Sequence, residues 1–197
     1  MKVIHSENVA VLDYPFHQKL QEDLLPLIRN HHFQDVGHTN VKAKHTEWDW
    51  QQNHSQVIKF KAWILNEVRK EFGKFACIGE KEDKLEVVNF WANIYNKGDY
   101  AVPHMHLPCY VSFAYFLKSK WYHPSLVFSH HGERVRPKDG RIVIFPSWVY
   151  HHVRKHRFAE QRITLSGNVA ILKDWENPDP YLLKNGLTGP RGAYGPL

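Results

Sequence analysis

Cysteine is scarce in this sequence, which contains two Cys among 197 residues. Cys77 and Cys109 show no spacing typical of a disulfide framework, which fits a reducing compartment. The N-terminus lacks an apolar run of signal-peptide length, and no segment approaches the roughly 18 apolar residues of a membrane span. We therefore expect a soluble, cytoplasmic protein with no membrane partner.

Internal repeats are also lacking, and the length suits a single domain. With 43% apolar and 14% aromatic residues, the composition excludes a disordered chain. We divide the chain into a helical support region (1–85), a β-rich core (86–172) and a Pro- and Gly-rich tail (173–197). We expect the tail to be loosely held; alternatively, it folds over the site or onto a second copy of the chain. The oligomeric state stays open, with a homodimer compatible with the sequence.

A concentrated run of one charge is absent as well. The formal net charge of +6 favours acidic partners, and nucleic acid is one option. The basic residues are nevertheless scattered along the chain, so an ordinary solvated surface explains them better than a nucleic-acid site.

Two amphipathic helices are predicted in the N-terminal part. Residues 15–31 repeat apolar side chains at helical spacing, and Pro26 predicts a break or kink. A second helix is predicted over residues 55–72, with Ser55 as a candidate N-cap. Both helices are expected to pack outside a β-rich core, and residues 33–53 between them are predicted to be a loop.

That loop is rich in aromatic residues, since it contains Trp48 and Trp50. We expect these side chains to anchor the loop to the core. The alternative is that they pack over the mouth of a binding site.

A long strand is predicted over residues 86–95, because apolar and mixed positions alternate there. One face is wholly apolar, and the other carries Val87, Asn89, Trp91, Asn93 and Tyr95. Amides among aromatic rings are typical of a ligand pocket, so this second face is predicted to line one. Asn93 is expected either to contact a ligand or to be satisfied by backbone groups.

A His-x-His pair supplies the first chemical signal. Residues two apart on a strand point the same way, so His104 and His106 can chelate one transition-metal ion. His151 follows a buried apolar run (142–145) and a Pro146-Ser147 turn. If the two strands are neighbours, three imidazoles meet and leave open coordination positions, which suits catalysis. The ligand type does not choose among Fe, Zn, Cu and Ni.

Chance is the competing explanation for this pair, because the chain contains 15 His. His152 is excluded as a ligand because it points away from His151 on a regular strand, although a bulge would reverse that choice. The ordered set of buried strand, Pro turn, His and then Arg162 on a β-rich segment is more specific than the pair alone.

Five motifs follow one another through this region: Trp91-Ala92-Asn93, His104-Met105-His106, Ser112-Phe113-Ala114-Tyr115-Phe116, Gly140 to His151, and Arg162-Ile163-Thr164. Together they make residues 93–168 resemble the double-stranded β-helix core of the Fe(II)/2-oxoglutarate-dependent oxygenases, especially the short oxygenases of phages and marine bacteria. The resemblance implies a mainly β fold, a cupin-like jelly-roll barrel with N-terminal helices packed on one sheet. Its motifs are specific in combination and weak singly.

The resemblance also implies a role for each site residue. Fe(II) would be held by three ligands, namely His104, His106 and His151. Arg162 would pair with the distal carboxylate of the cosubstrate 2-oxoglutarate, and Thr164 would donate its hydroxyl to the same carboxylate. Asn93 and Tyr110 are further candidate contacts of the cosubstrate, with core packing as the alternative for Tyr110. No catalytic residue beyond the metal ligands is implied.

One position departs from the family pattern. The common ligand set is two His and one carboxylate, whereas position 106 carries His, which leaves a more positive site and makes another metal conceivable. The same motifs also resemble a cupin, in which Gly98 precedes the His-x-His pair and Gly140 precedes His151. Both families share the barrel, and Arg162 favours the oxygenase interpretation.

The implied activity is hydroxylation of a substrate C–H bond, coupled to conversion of 2-oxoglutarate to succinate. Peptidyl-proline and a small molecule are both open as substrates. Repair of alkylated bases ranks low, because Asn168 stands where those enzymes carry a second Arg. Two alternatives remain: a cupin-type metalloenzyme that does not use 2-oxoglutarate, and a non-catalytic β-barrel with a binding or structural role.

Overall fold

The computed structural model describes residues 8–33, 39–72 and 84–171, together with the backbone of residues 2–4. The predicted tail (173–197) lies outside this part of the chain, as does Cys77, so what was expected of them stays a prediction. No helix in the described part combines the length and the apolar character needed to cross a membrane.

Within the described residues the chain forms two helices and twelve strands. The helices are α1 (His17–Arg29) and α2 (Ser55–Phe72). The strands in chain order are β1 (Lys2–Ile4), β2 (Val9–Asp13), β3 (Val41–Lys42), β4 (Lys44–His45), β5 (Leu85–Tyr95), β6 (Tyr100–His104), β7 (Val111–Lys118), β8 (Leu126–Phe128), β9 (Arg134–Val135), β10 (Arg141–Pro146), β11 (His151–Val153) and β12 (Arg162–Ile171). The chain is therefore mainly β with two helices, as predicted.

The strands form two antiparallel sheets that pack face to face. The larger sheet has the order β1-β2-β10-β7-β12-β5-β4, and the smaller has the order β3-β6-β11-β8-β9. Phe116 and Phe145 from the larger sheet share one buried cluster with Phe128 and Val153 from the smaller sheet. This two-sheet barrel confirms the jelly-roll fold class. The short strands β1, β2 and β4 show that the N-terminal region also contributes to the larger sheet.

The two helices cover the outer face of the larger sheet. Leu24 of α1 and Phe60 of α2 are fully buried in a cluster that also contains Phe90 and Phe113 of the sheet. Burying one such side chain contributes roughly 1.5–3 kcal/mol. The expectation that both helices pack outside the barrel is therefore confirmed.

The helix ends differ slightly from the predicted ones. The α1 helix continues to Arg29, so Pro26 does not end it. At the start of α2, the imidazole Nδ1 of His54 accepts a hydrogen bond from the Gln56 backbone N–H at 3.2 Å. His54 is therefore the capping residue, and the prediction of Ser55 was wrong by one position. An imidazole nitrogen replaces the usual hydroxyl or carboxylate oxygen at this cap.

Strand β5 has the predicted alternation over most of its length. Phe90 and Ile94 face the helices, whereas Trp91, Asn93 and Tyr95 face the interior between the sheets. The prediction for Val87 was wrong, since this residue packs with the helix-facing cluster. The β5–β12 register shifts at this point, and the extra residue reverses the faces that the flanking side chains occupy.

The segment 33–53 contains more structure than the predicted loop. Strands β3 and β4 pair with β6 and β5, respectively. Trp50 is buried in the helix-facing cluster and anchors the segment there. Trp48 packs edge-on against Trp91, with ring centroids 4.6 Å apart, so the segment also contributes to the wall of the interior.

Candidate metal centre

His104 and His106 reach one point in space, although they do not share one regular strand. Strand β6 ends at His104, which lies directly opposite His151 on β11. His106 follows two residues later, and its backbone N–H donates to the Ser147 carbonyl at 2.7 Å. The prediction that both residues lie on one strand was therefore wrong, since only His104 lies on β6. The hydrogen bond to Ser147 holds His106 beside the other two rings instead.

The three imidazoles form a compact cluster. Their ligand nitrogens all lie within 4.8 Å of one another, and the Nε2 atoms of His106 and His151 are 3.3 Å apart. The Nδ1 of His104 donates to the Val102 carbonyl at 2.7 Å, and the Nδ1 of His151 donates to the Val149 carbonyl at 3.0 Å. In the neutral rings, Nε2 of both His104 and His151 is therefore unprotonated and available as a ligand.

This donor set fits a divalent transition-metal ion. Metal–nitrogen distances of about 2.0–2.1 Å place adjacent ligand nitrogens roughly 3.0–3.4 Å apart, close to the observed spacing of His106 and His151. Burial lowers the pKa of all three imidazoles, with neighbouring His residues lowering it further, which favours the neutral form that binds metal. Within the described part of the chain, no carboxylate joins this cluster.

His152 lies outside the metal cluster, as predicted from strand alternation. It pairs with Val127 of β8, and its Nδ1 lies 3.0 Å from the Ser129 hydroxyl. The side chains of His151 and His152 thus lie in different environments although the two residues are adjacent in the sequence. The regular β11–β8 register across these two residues explains the separation.

Arg162 is a buried cation in the same interior. Its side chain is 1% exposed, and its guanidinium carbon lies 4.6 Å from the centre of the Tyr95 ring and 5.2 Å from that of Phe116. Burial lowers the pKa of Arg162, whereas Tyr95 raises it. Among the described residues, its Nε and Nη1 atoms find no hydrogen-bond partner. A buried, unpaired cation is costly, so these donors suit an anionic ligand.

Asn93 and Thr164 lie next to this cation. Thr164 pairs with Asn93 across β12 and β5, just as Arg162 pairs with Tyr95. The Asn93 Nδ2 donates to the Thr164 hydroxyl at 3.3 Å and to the Ser166 hydroxyl at 3.2 Å. Because the Thr164 oxygen accepts this bond, its own O–H remains able to donate to a ligand. A hydrogen bond therefore joins Asn93 to Thr164, which lies two residues from Arg162 on β12.

Tyr110 occupies a different environment. It precedes β7, packs against the helix-facing cluster, and donates its hydroxyl to the Phe72 carbonyl at 3.1 Å. The structure thus places this hydroxyl against the end of α2. The predicted contact with a cosubstrate carboxylate stays a prediction, and the observed geometry favours the packing alternative.

Sequence reasoning missed a buried polar network that reaches the backbone of His106. The Ser112 hydroxyl lies 2.7 Å from that of Ser147 and donates to Asn168 Oδ1 at 2.9 Å. Asn168 Nδ2 in turn donates to Asn89 Oδ1 at 3.2 Å. Since Ser147 also binds the backbone of His106, the network supports one of the candidate ligands. The sequence offered one signal for this network, namely a polar residue within each of three mainly apolar strands: Asn89 in β5, Ser112 in β7 and Asn168 in β12.

Sequence reasoning also missed His45. This residue is 3% exposed, pairs with Asn93 across β4 and β5, and its ring centroid lies 5.2 Å from that of Trp48. Trp48 contacts Trp91, whose ring centroid lies 6.1 Å from that of His106. A wall of rings thus connects His45 to the metal cluster. A two-residue strand gives no pattern from which this pairing could be predicted.

Comparison with known protein families gives one match. Residues 129–168 match the family described as "Putative 2OG-Fe(II) oxygenase". The matched segment includes His151, Arg162 and Thr164, three of the residues assembled above. A search of curated proteins gave no match.

Solved structures resemble this chain over most of its length. A prolyl-4-hydroxylase from Pseudomonas putida is 16% identical, with 85% of this chain and 94% of that chain covered and a TM-score of 0.65. The viral collagen prolyl hydroxylase of Paramecium bursaria Chlorella virus-1, in complex with 2-oxoglutarate, is 13% identical, with 85% and 98% covered and a TM-score of 0.61.

A third similar structure is HygX from Streptomyces hygroscopicus with nickel and 2-oxoglutarate bound. It is 10% identical, with 84% of each chain covered and a TM-score of 0.62. These identities are low, so the likeness concerns the fold. The chain therefore shares the double-stranded β-helix fold of 2-oxoglutarate- and metal-binding oxygenases, and its segment 129–168 matches a family model of such enzymes.

Proposed function

We propose that this protein is an Fe(II)- and 2-oxoglutarate-dependent dioxygenase that hydroxylates a C–H bond of an organic substrate. The observation that carries the proposal is the pairing of two features in one interior. Three neutral imidazoles offer a metal site, and in the same interior between the sheets the buried Arg162 offers N–H donors that have no hydrogen-bond partner among the described residues. A metal-binding keto acid with a distant carboxylate satisfies both features at once.

The charges of the site support this cosubstrate. Three neutral His ligands leave the full double positive charge of a divalent ion, and Arg162 adds one more. The dianion 2-oxoglutarate offsets most of this buried charge. When bound, iron and 2-oxoglutarate supply the oxidising chemistry, in which oxygen is consumed and 2-oxoglutarate becomes succinate and carbon dioxide.

The chain's own residues hold the reactants in place. His104, His106 and His151 would bind the metal, and backbone carbonyls fix the rings of two of them. Arg162 offers a planar fork to the distal carboxylate, a geometry that Lys does not reproduce. Thr164 adds a hydroxyl donor. The surrounding Tyr95 and Phe116 rings keep water away from this ion pair, which strengthens it.

We propose a peptide or a small molecule as the substrate. Two of the similar structures are prolyl hydroxylases, and another structure of HygX contains hygromycin B, so peptides and small molecules are both represented. In this chain Trp148 and Tyr150 precede His151 and are 52% and 43% exposed. Exposed aromatic rings this close in the sequence to a candidate metal ligand suit an organic substrate of either kind.

The test is oxygen-dependent turnover of 2-oxoglutarate by the Fe(II)-loaded protein. Such enzymes convert some 2-oxoglutarate without their substrate, so we expect succinate to form in air and to be absent under argon. Matched reactions with Arg162→Met should form far less succinate. Metal binding without any succinate, in air and with an added reductant, would instead favour the cupin-type alternative.

A further inference from the structure

His45 presents an unused nitrogen to the same interior. Its Nδ1 lies 2.7 Å from the Thr46 carbonyl, which can only accept, so Nδ1 carries the proton of the neutral ring. The Nε2 atom is then a bare acceptor. No group among the described residues forms a hydrogen bond with it, although the side chain is 3% exposed. Burial also lowers the pKa of His45, which keeps the ring neutral.

A second unused acceptor lies on the neighbouring strand. Asn93 is 2% exposed, and its Nδ2 donates to Thr164 and Ser166, whereas its Oδ1 has no partner in the described part of the chain. His45 and Asn93 are directly opposite each other in the β4–β5 pair. Paired side chains on one face of a sheet lie about 4.5–5.5 Å apart at Cβ, close enough to serve one ligand.

The chemistry of these two atoms argues against the cosubstrate as their partner. At neutral pH, 2-oxoglutarate carries two carboxylates and a keto group, all of which accept hydrogen bonds. Arg162 and Thr164 match it as donors. A neutral imidazole nitrogen and an amide oxygen would repel it. Each buried acceptor left unpaired carries a desolvation cost, which a ligand with a donor group removes.

We propose that His45, together with Asn93, binds a hydrogen-bond donor of the primary substrate, either an amide N–H or a hydroxyl group. The inference rests on the proposed oxygenase function, because it assigns the substrate side of that site. The wall formed by His45, Trp48 and Trp91 ends at the metal ligand His106, so a substrate held along it approaches the metal. His45 is therefore a specificity-determining residue.

The experiment uses two pairs of small probes that differ in one donor group. N-methylacetamide represents a peptide N–H, and N,N-dimethylacetamide is its donor-free match. Ethylene glycol represents a hydroxyl, and 1,2-dimethoxyethane is its donor-free match. Each is titrated into full-length protein loaded with Zn(II), as a diamagnetic substitute for iron, and with 2-oxoglutarate. Nitrogen-15 NMR of labelled His reports the state of His45 Nε2.

We expect one donor probe to shift the Nε2 resonance of His45 and to bind about tenfold tighter than its match, the range expected for a hydrogen bond that is otherwise left unmade. Whether the amide or the glycol does so identifies the type of donor. The free protein should show the Nδ1–H tautomer at His45.

Variants separate binding from packing. His45→Phe retains a ring against Trp48 but lacks the acceptor, so discrimination within the probe pair should vanish. Its binding is read from the Trp48 indole resonance. His45→Gln offers an acceptor again and should restore part of the discrimination, whereas His130→Phe on the surface should behave as wild type. Each variant's affinity for 2-oxoglutarate is measured first and should equal that of wild type.

Two results would overturn the inference: equal binding of each donor probe and its match, or no shift at His45 with any probe. If 2-oxoglutarate still binds in that case, the proposed oxygenase function stands and only the role of His45 fails. If 2-oxoglutarate does not bind to the metal-loaded wild type, the proposed function itself fails.

Discussion

The Nε2 atoms of His106 and His151 lie 3.3 Å apart, and the Nδ1–H group of His151 donates a hydrogen bond to the Val149 carbonyl. Without a metal, the short contact is a hydrogen bond that His106 donates to His151. With a metal, both nitrogens become ligands after a simple change of tautomer at His106. The folded chain thus holds the donor atoms close to coordination spacing before any ion arrives.

Removal of one ligand tests this arrangement. His151→Ala should weaken Fe(II) or Zn(II) binding by more than the roughly 10–100-fold that loss of a supporting partner costs. The matched control is His152→Ala, which changes the adjacent imidazole and leaves the cluster intact. Calorimetric titration of both variants with Zn(II) gives the comparison. Similar losses in both variants would contradict the assignment of His151.

We expect Arg162 to contribute to the affinity for 2-oxoglutarate and not to the affinity for the metal ion. Arg162→Met should remove most 2-oxoglutarate affinity, because the charged fork is lost, while Zn(II) affinity changes little. Arg162→Lys should recover only part of it, since a single ammonium cannot bind the carboxylate in a bidentate manner. Arg154→Met on the surface is the matched control. Unchanged 2-oxoglutarate affinity in Arg162→Met would eliminate this role.

Arg162→Met should not lower the stability of the protein without ligands. Replacing even a buried ion pair with apolar residues of similar volume is often neutral or stabilising by about 1–4 kcal/mol, and among the described residues Arg162 has no carboxylate partner that would offset its desolvation. Thermal unfolding without ligands should therefore give an equal or higher Tm for Arg162→Met. The wild type should gain stability on adding 2-oxoglutarate with metal, and the variant should not. A strongly lowered Tm of the free variant would indicate a structural role for Arg162.

Thr164 offers a finer test, since Thr164→Val keeps the shape of the side chain. Loss of one hydrogen bond to a charged carboxylate costs about 1.5–3 kcal/mol, so 2-oxoglutarate should bind roughly 10–150-fold more weakly. Thr39→Val serves as the control, because the Thr39 hydroxyl donates to the Val41 carbonyl. Binding within twofold of wild type would show that Thr164 does not contact the carboxylate.

The buried polar network of Ser112, Ser147, Asn168 and Asn89 should contribute to stability. Ser112→Ala leaves the Ser147 hydroxyl and the Asn168 oxygen without this shared partner, so the free energy of unfolding should fall by about 1–3 kcal/mol. Urea unfolding measures the loss, with Ser125→Ala as the control. Equal midpoints for the two variants would mean that water replaces the Ser112 hydroxyl.

Periodicity in the sequence predicted the layers of this fold well. Alternation on β5 assigned Trp91, Asn93 and Tyr95 to the interior, and helical spacing gave the extent of α2. The failure at Val87 has a physical reason. A single extra residue in a strand reverses the two faces, and nothing in the local sequence marks where the partner strand slips.

Candidate site residues were found from the sequence where they belong to ordered motifs and were missed where tertiary pairing decides. Arg162 begins the ten-residue strand β12, and His151 follows the buried run of β10 and the turn after it. His45 lies on a two-residue strand that exists only because β5 offers its edge, so no sequence window reveals its pairing with Asn93. Tyr110 was expected to contact the cosubstrate or to pack in the core, and a bend of the chain just before β7 directs its hydroxyl to the Phe72 carbonyl.

The central claim is that one site holds a metal ion and 2-oxoglutarate together. The most direct measurement is an anaerobic titration of the protein with Fe(II) and then 2-oxoglutarate, followed by visible absorption. We predict a charge-transfer band that requires both additions and is lost in His151→Ala and Arg162→Met. If Fe(II) binds and 2-oxoglutarate produces no band, the claim is contradicted and a metalloenzyme without this cosubstrate takes its place.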